Sequence, residues 1–199
     1  MSNKNEMQKI KRYSHILRKV MNVFYWAAVV AACGSLIAAV ATIFIPASKF
    51  IFRNNNAGRL GFSLDGLIKY NLTEAAQGIS LKDVYVTILF IAVPLLLLVA
   101  FVAKQLVHIL KSVDNDTPFE KENAERIYSV GRVLVLSSLL IPAIEFIPAK
   151  VMLDLLKIQN ISLNYSVNLY LVLAGFLMFI LSGIFRYGSY LQNEYDETV

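Results

Sequence analysis

Four stretches of this chain are nearly free of charge, and each is about as long as a helix must be to cross a bilayer. The first runs from Val20 to Ser48 without a charged residue. The second is uncharged from Val84 to Ala103 and extends to Val107, and the fourth is uncharged from Val167 to Phe185. The third, from about Tyr128 to Ala149, is the weakest, since it contains Arg132 and Glu145 and carries Pro142 and Pro148 late. Crossing roughly 30 Å of hydrocarbon takes about 20 helical residues. The runs are continuous rather than alternating, which favours helices over the strands of a barrel. Composition agrees: 57% of the residues are hydrophobic and 17% charged, against about 25% charged in a soluble domain. The expected fold is therefore an all-α membrane protein, one membrane domain over residues 1–199. Its spans are expected at about 20–46, 84–107, 128–149 and 167–187. Outer loops at 47–83 and 150–166 and an inner loop at 108–127 join them.

Charge then orients the chain. Lys4, Lys9, Lys11, Arg12, Arg18 and Lys19 precede the first span. Four spans put both termini on one side, and placing them inside gives twelve Lys and Arg residues within against seven in the outer loops. That bias points to cytoplasmic termini. The net charge of +5 is then explained by orientation and lipid headgroups, and direct contact with nucleic acid is not expected. Val30-Ala31-Ala32-Cys33 resembles a lipoprotein cleavage box, but the apolar run continues past Cys33, so no cleavage is expected. Cys33 is the only cysteine and can form no disulfide within the chain.

The outer segments carry strand signals. Leu60, Phe62 and Leu64 alternate up to Asp65-Gly66, and Leu67 to Leu72 follow, which predicts a hairpin. Ile161, Leu163, Tyr165 and Val167 alternate with polar residues as one half-buried strand. Because three strands share a face better than two, the two loops are expected to join in a small extracellular β cap. Leu153, Leu156 and Lys157 at helical spacing predict a short interfacial helix between Ala149 and Gln159.

The most informative polar stretch is Asp114 to Arg126, in the inner loop. Thr117 suits a helix N-cap, Pro118 the first helical position, and Glu120 completes a capping box. Capping explains those three but not Phe119, which has the bulk to anchor the loop, nor Asn123, which is placed to bond a loop carbonyl. Thr117, Pro118, Phe119 and Asn123 are thus the candidate interaction residues. This Thr-Pro-Phe between two spans, with Asn123-Ala124, Ile127 and Gly131 following, resembles the bacterial membrane family catalogued as domain of unknown function 2975. The resemblance covers nearly the whole chain. It implies a bacterial plasma membrane, four helices and, as a partner, a small helix-turn-helix regulator often encoded beside members. It implies no activity and no catalytic residue.

Ser138, Pro142 and Glu145 fall on one helix face, and Glu145 is the one acid inside a span. Intramembrane acids often mark ion paths, but four residues from Ala149 is only about 6 Å of rise. Reach to the interface, or pairing with Lys150, is the preferred reading. Pro94 is expected to kink the second span. Ala31, Ser35 and Ala39 repeat every four residues and invite close approach of another helix, within the bundle or in a second copy. His15 and His108 make no zinc pattern with Cys33. No nucleophile elbow or phosphate loop is present, so neither cofactor nor catalytic residue is expected. Three Asn-x-Ser/Thr acceptors in the outer loops, at Asn71, Asn160 and Asn164, are read as coincidence in a bacterial chain. The expectation is a regulatory, sensory or immunity-type protein acting through contacts with an inner regulator, an outer peptide or a second copy. A small transporter or channel subunit built around Ser138 and Glu145 is the alternative.

Overall fold

A computed structural model describes residues 2–52, 61–64, 68–71, 77–158 and 162–198. Four helices dominate: α1 (Ser2–Phe44), α2 (Lys82–Asp114), α3 (Lys121–Leu155) and α4 (Leu169–Thr198). All four are long and apolar enough to cross a membrane, so this is a multi-pass membrane protein. Most of their large apolar side chains face outward, among them Trp26, Phe44, Leu97, Leu173 and Ile180. In water such a surface would drive aggregation, whereas lipid tails cover it at no cost. Pro94, Pro142 and Pro148 all lie inside helices, which membrane helices tolerate better than soluble ones.

Contacts divide the chain into two compact units. One contains Met1–Ala31, Leu95–Leu139 and Asn168–Val199. Within it α3 and α4 cross with their backbones touching. A Cβ added at Gly175 would lie 2.9 Å from the Gly131 carbonyl oxygen and 2.6 Å from a Val135 methyl, and one at Gly131 would lie 2.9 Å from the Gly175 carbonyl. Only glycine permits that approach. Asn168 caps α4, its Oδ1 accepting the Leu171 N–H at 3.2 Å.

The other unit contains Ala32–Pro94 and Leu140–Val167. Here α1 ends before Pro46, and Lys82 reaches its last turn, Nζ donating to the carbonyls of Ile43 and Ile45 at 2.7 Å each. A cation thus meets the negative end of the helix. Strands β1 (Gly61–Leu64) and β2 (Ile68–Asn71) pair antiparallel, with Leu64 opposite Ile68. The expected turn residues Asp65 and Gly66, with Leu60, Leu67 and Leu72, lie outside the described residues. The expected cap joining both outer loops is not formed. Residues 162–168 adopt no strand, and the sheet has two strands among the described residues. Residues 160 and 161 lie outside the description. Instead of pairing, this segment seats Tyr165 edge-on against Phe146 at 5.6 Å. The interfacial helix expected at 149–159 is not separate either, because α3 runs on without a break to Leu155. It stops in a left-handed turn at Lys157 (φ 54°). There Ile158 N–H bonds Leu153 O at 3.0 Å and Lys157 N–H bonds Asp154 O at 3.2 Å, a Schellman ending.

Candidate functional site

The candidate interaction residues converge on the turn between α2 and α3, but not as a capping box. α3 begins at Lys121, not at Pro118. Thr117 belongs to the end of α2: its N–H bonds Ser112 O at 2.9 Å while Asp116 N–H bonds Val113 O at 3.3 Å. Asp116, at φ 63°, occupies the left-handed position. This is a second Schellman ending, and it claims the Thr117 backbone before α3 can use it as a cap. The Thr117 hydroxyl still donates to the Glu120 carboxylate, closing the four-residue turn.

Asn123 holds this turn from beneath and is fully buried. Its Nδ2 donates to Ser112 Oγ and, at 3.0 Å, to the Pro118 carbonyl. Its Oδ1 accepts from Arg126 Nη1 at 2.7 Å. The loop-carbonyl bond expected from sequence is thus Pro118 O. Ser112 Oγ passes the chain of bonds on to Ile109 O at 2.7 Å. Buried polar groups are costly unless bonded in this way.

Phe119 anchors the turn against α4. Its ring lies 5.3 Å from that of Phe185, and a Cβ at Gly188 would come within 2.7 Å of it. Even so it remains 41% exposed. Neighbouring helices are tied in by small hydroxyls: Ser182 Oγ donates to Ala124 O at 2.7 Å, and Ser14 Oγ to Leu110 O at 2.8 Å. Sequence reasoning passed over Ser14, Ser112 and Ser182. The available signal was a small polar residue on an otherwise apolar helix face.

The turn also meets the basic start of α1. Lys11 Nζ lies 2.5 Å from Asp116 Oδ2, and Arg18 Nη1 2.9 Å from Asp114 Oδ2. The second contact is an ion pair without hydrogen-bond alignment, since neither Asp114 oxygen has an aligned donor among the described residues. His15 Nδ1 stands 3.8 Å from the same carboxylate. Between these residues opens a cleft of about 620 Å3 lined by Lys11, Arg12, His15, Ile16, Arg18, Asp114 and Asn115.

Residues 70–199 match the family described as Protein of unknown function (DUF2975). The chain belongs to this family. The match takes in the Thr-Pro-Phe turn and α2 to α4. No curated protein and no solved structure matches the chain. In this DUF2975 member the intramembrane pair does not behave as one face. Ser138 is buried, its Oγ donating to Val135 O at 2.6 Å and its carbonyl accepting Asn168 N–H at 3.0 Å. Glu145 is exposed. No ion pair joins Glu145 to Lys150 among the described residues, since five residues along a helix put the two on different faces. No three His, Cys, Asp or Glu side chains stand close enough to hold a metal among the described residues.

Proposed function

We propose that this DUF2975 protein is a regulatory, sensory or immunity-type protein of the bacterial plasma membrane, with both termini cytoplasmic, that acts through protein contacts. The observation that carries the reading is the α2–α3 turn. Two interlocked devices, the Schellman ending at Asp116 and the buried Asn123, fix a four-residue turn whose outermost side chain is a partly exposed phenylalanine. Rigid presentation of an aromatic with an open edge lowers the entropy cost of docking. On this reading Phe119 is the contact, and Thr117, Pro118 and Asn123 are its support. The inner partner is a soluble regulator of the helix-turn-helix kind; an outer peptide or a second copy would engage the remaining surfaces.

The test is crosslinking in native membranes, followed by mass spectrometry of what copurifies with a C-terminally tagged chain. A reproducible soluble partner, lost on Phe119→Ala while the turn amides keep their exchange protection, supports the reading. Recovery of the same partners with and without the Phe119 ring, or of self-crosslinked copies alone, refutes it.

A further inference from the structure

One exposed face of α2 changes character along its length. Leu97, Phe101, Lys104, His108 and Lys111 follow one another at spacings of four, three, four and three residues, so they form one stripe on the helix. All five are exposed. The first two are apolar and the last three are basic. A fourth basic side chain comes from α3. The bond between Asn123 and Ser112 sets the two helices side by side. His108 lies one turn before Ser112 on α2, and Arg126 one turn after Asn123 on α3, so the two stand at the same level of the hairpin. The charges that act on the His108 ring are accordingly those of Arg126, Lys104 and Lys111.

None of these four basic side chains has an ion-pair partner among the described residues. Asp114, the nearest carboxylate along α2, pairs with Arg18 of α1 instead. Glu122 and Glu125, beside Arg126 on α3, pair with none of the four. Arg126 is also held in place. Its Nη1 donates at 2.7 Å to Oδ1 of the buried Asn123, which leaves the rest of its planar fork for an anion. Lys104 sits 6.0 Å over the Tyr25 ring. An aromatic of the kind enriched where hydrocarbon meets headgroups thus stands where the stripe turns from apolar to basic.

The geometry points to a seat for one anionic phospholipid on this stripe. Its phosphate would lie among Lys104, His108, Lys111 and Arg126, with an acyl chain along Phe101 and Leu97. The stripe itself selects this occupant. A phospholipid carries phosphate and hydrocarbon in one line, in the order in which these side chains present cations and apolar groups. An acidic protein segment or a free phosphate would match the cations and leave Phe101 and Leu97 unmatched. Basic pockets between membrane helices hold anionic headgroups in this way. The site does not depend on the protein contact proposed for Phe119.

The test uses the full chain in nanodiscs of phosphatidylglycerol and phosphatidylcholine in equal amounts, with matched acyl chains and with Phe101 replaced by a benzophenone amino acid. The mass of the adduct identifies what lies on the stripe. Phosphatidylglycerol adducts are expected to exceed phosphatidylcholine adducts by about tenfold. Lys104→Gln with Lys111→Gln should make the two adducts equal, whereas Lys104→Arg with Lys111→Arg keeps the charge and should keep the excess. Lys9→Gln with Lys19→Gln removes the same charge from the start of α1 and should leave the excess unchanged. Retained exchange protection at Thr117 shows that each variant is folded. Equal adducts in the wild type overturn the inference. So does an excess that the α2 glutamines leave unmoved, or that the α1 glutamines lower as much. An adduct to a second copy of the chain overturns it too, as does loss of the excess when soluble glycerol phosphate is added, which would place a free phosphate at the site.

Discussion

Removing the Asn123 amide should open the α2–α3 turn. The residue is fully buried, and its side chain makes three bonds: Nδ2 to Ser112 Oγ and to Pro118 O, and Oδ1 from Arg126. A typical hydrogen bond contributes about 0.5–1.5 kcal/mol net, and a buried partner left unsatisfied costs about 1–3 kcal/mol. Ser112 keeps its bond to Ile109 O, and Arg126 is only partly covered and recovers water. The Pro118 carbonyl and the vacated amide volume remain as the main losses. Asn123→Ala should therefore cost about 2–4 kcal/mol. Unfolding of membrane proteins is often irreversible, so the readout is local: amide exchange at Thr117, whose N–H bonds Ser112 O at 2.9 Å. The expected loss of protection is about 30- to 1,000-fold, since 1.4 kcal/mol is about tenfold. Asn123→Asp keeps the shape but removes the donors, and it should lose at least as much. Protection within about twofold of wild type in both variants would refute the argument that hydrogen bonds hold the turn.

Further outcomes follow from the geometry. Gly175→Ala should cost about 1–3 kcal/mol by forcing α4 off Gly131 and Val135. Gly183→Ala, where a Cβ meets nothing within 4 Å, should gain up to about 1 kcal/mol, and unfolding in micelles compares the two. Lys157→Gly should raise the unfolding midpoint through about 1 kcal/mol of relieved left-handed strain, since the side chain is exposed. Lys82→Met should fray the last turn of α1 by about 1–2 kcal/mol, read as faster exchange at Ile45, whose N–H bonds Thr42 O at 3.2 Å. Glu145→Gln should cost no more than about 0.5 kcal/mol, because the side chain makes no ion pair with Lys150 and is exposed; a larger loss in micelle unfolding would show a partner that the fold does not supply.

The spans were legible because a bilayer leaves one solution for a long uncharged run, and one helix takes in most of each expected span, with residues 45–46 and 167–168 lying beyond the ends of α1 and α4. Helix ends were not, since outside hydrocarbon the chain has competing local options. Thr117 and Glu120 satisfy the capping pattern, yet Asp116 can adopt a left-handed turn, and the Schellman bonds to Ser112 and Val113 took the segment first. The bond from Asn123 to the loop was foreseeable from position alone. Its second partner, Ser112, lies eleven residues back across the turn, and Ser182 meets Ala124 across 58 residues; no local pattern encodes such pairs. The alternation from Ile161 to Val167 misled for the same reason. Period two states that a strand would be half-buried, not that a partner strand exists.

The helix lengths carry the last step. A span needs about 20 residues, but α1 to α4 have 43, 33, 35 and 30. The charged stretches Lys104–Asp114, Lys121–Arg126 and Arg186–Glu197, with the basic start of α1, all belong to the unit that contains both termini. That unit buries mostly small apolar side chains, such as Ala28, Ala100, Ala103 and Ala124, with Ile127 and Val130 the larger ones. The largest fully buried side chains among the described residues are Asn123, Ser138 and Ser182, all polar and all in this unit. A unit with so little apolar bulk gains little from the hydrophobic effect and depends on close backbone approach and on hydrogen bonds whose loss is local. Crossing the bilayer does not require such an extension. The part of this unit beyond the expected spans includes the turn that Asn123 holds and Phe119 tops, which makes that turn the first place to test the proposed protein contact.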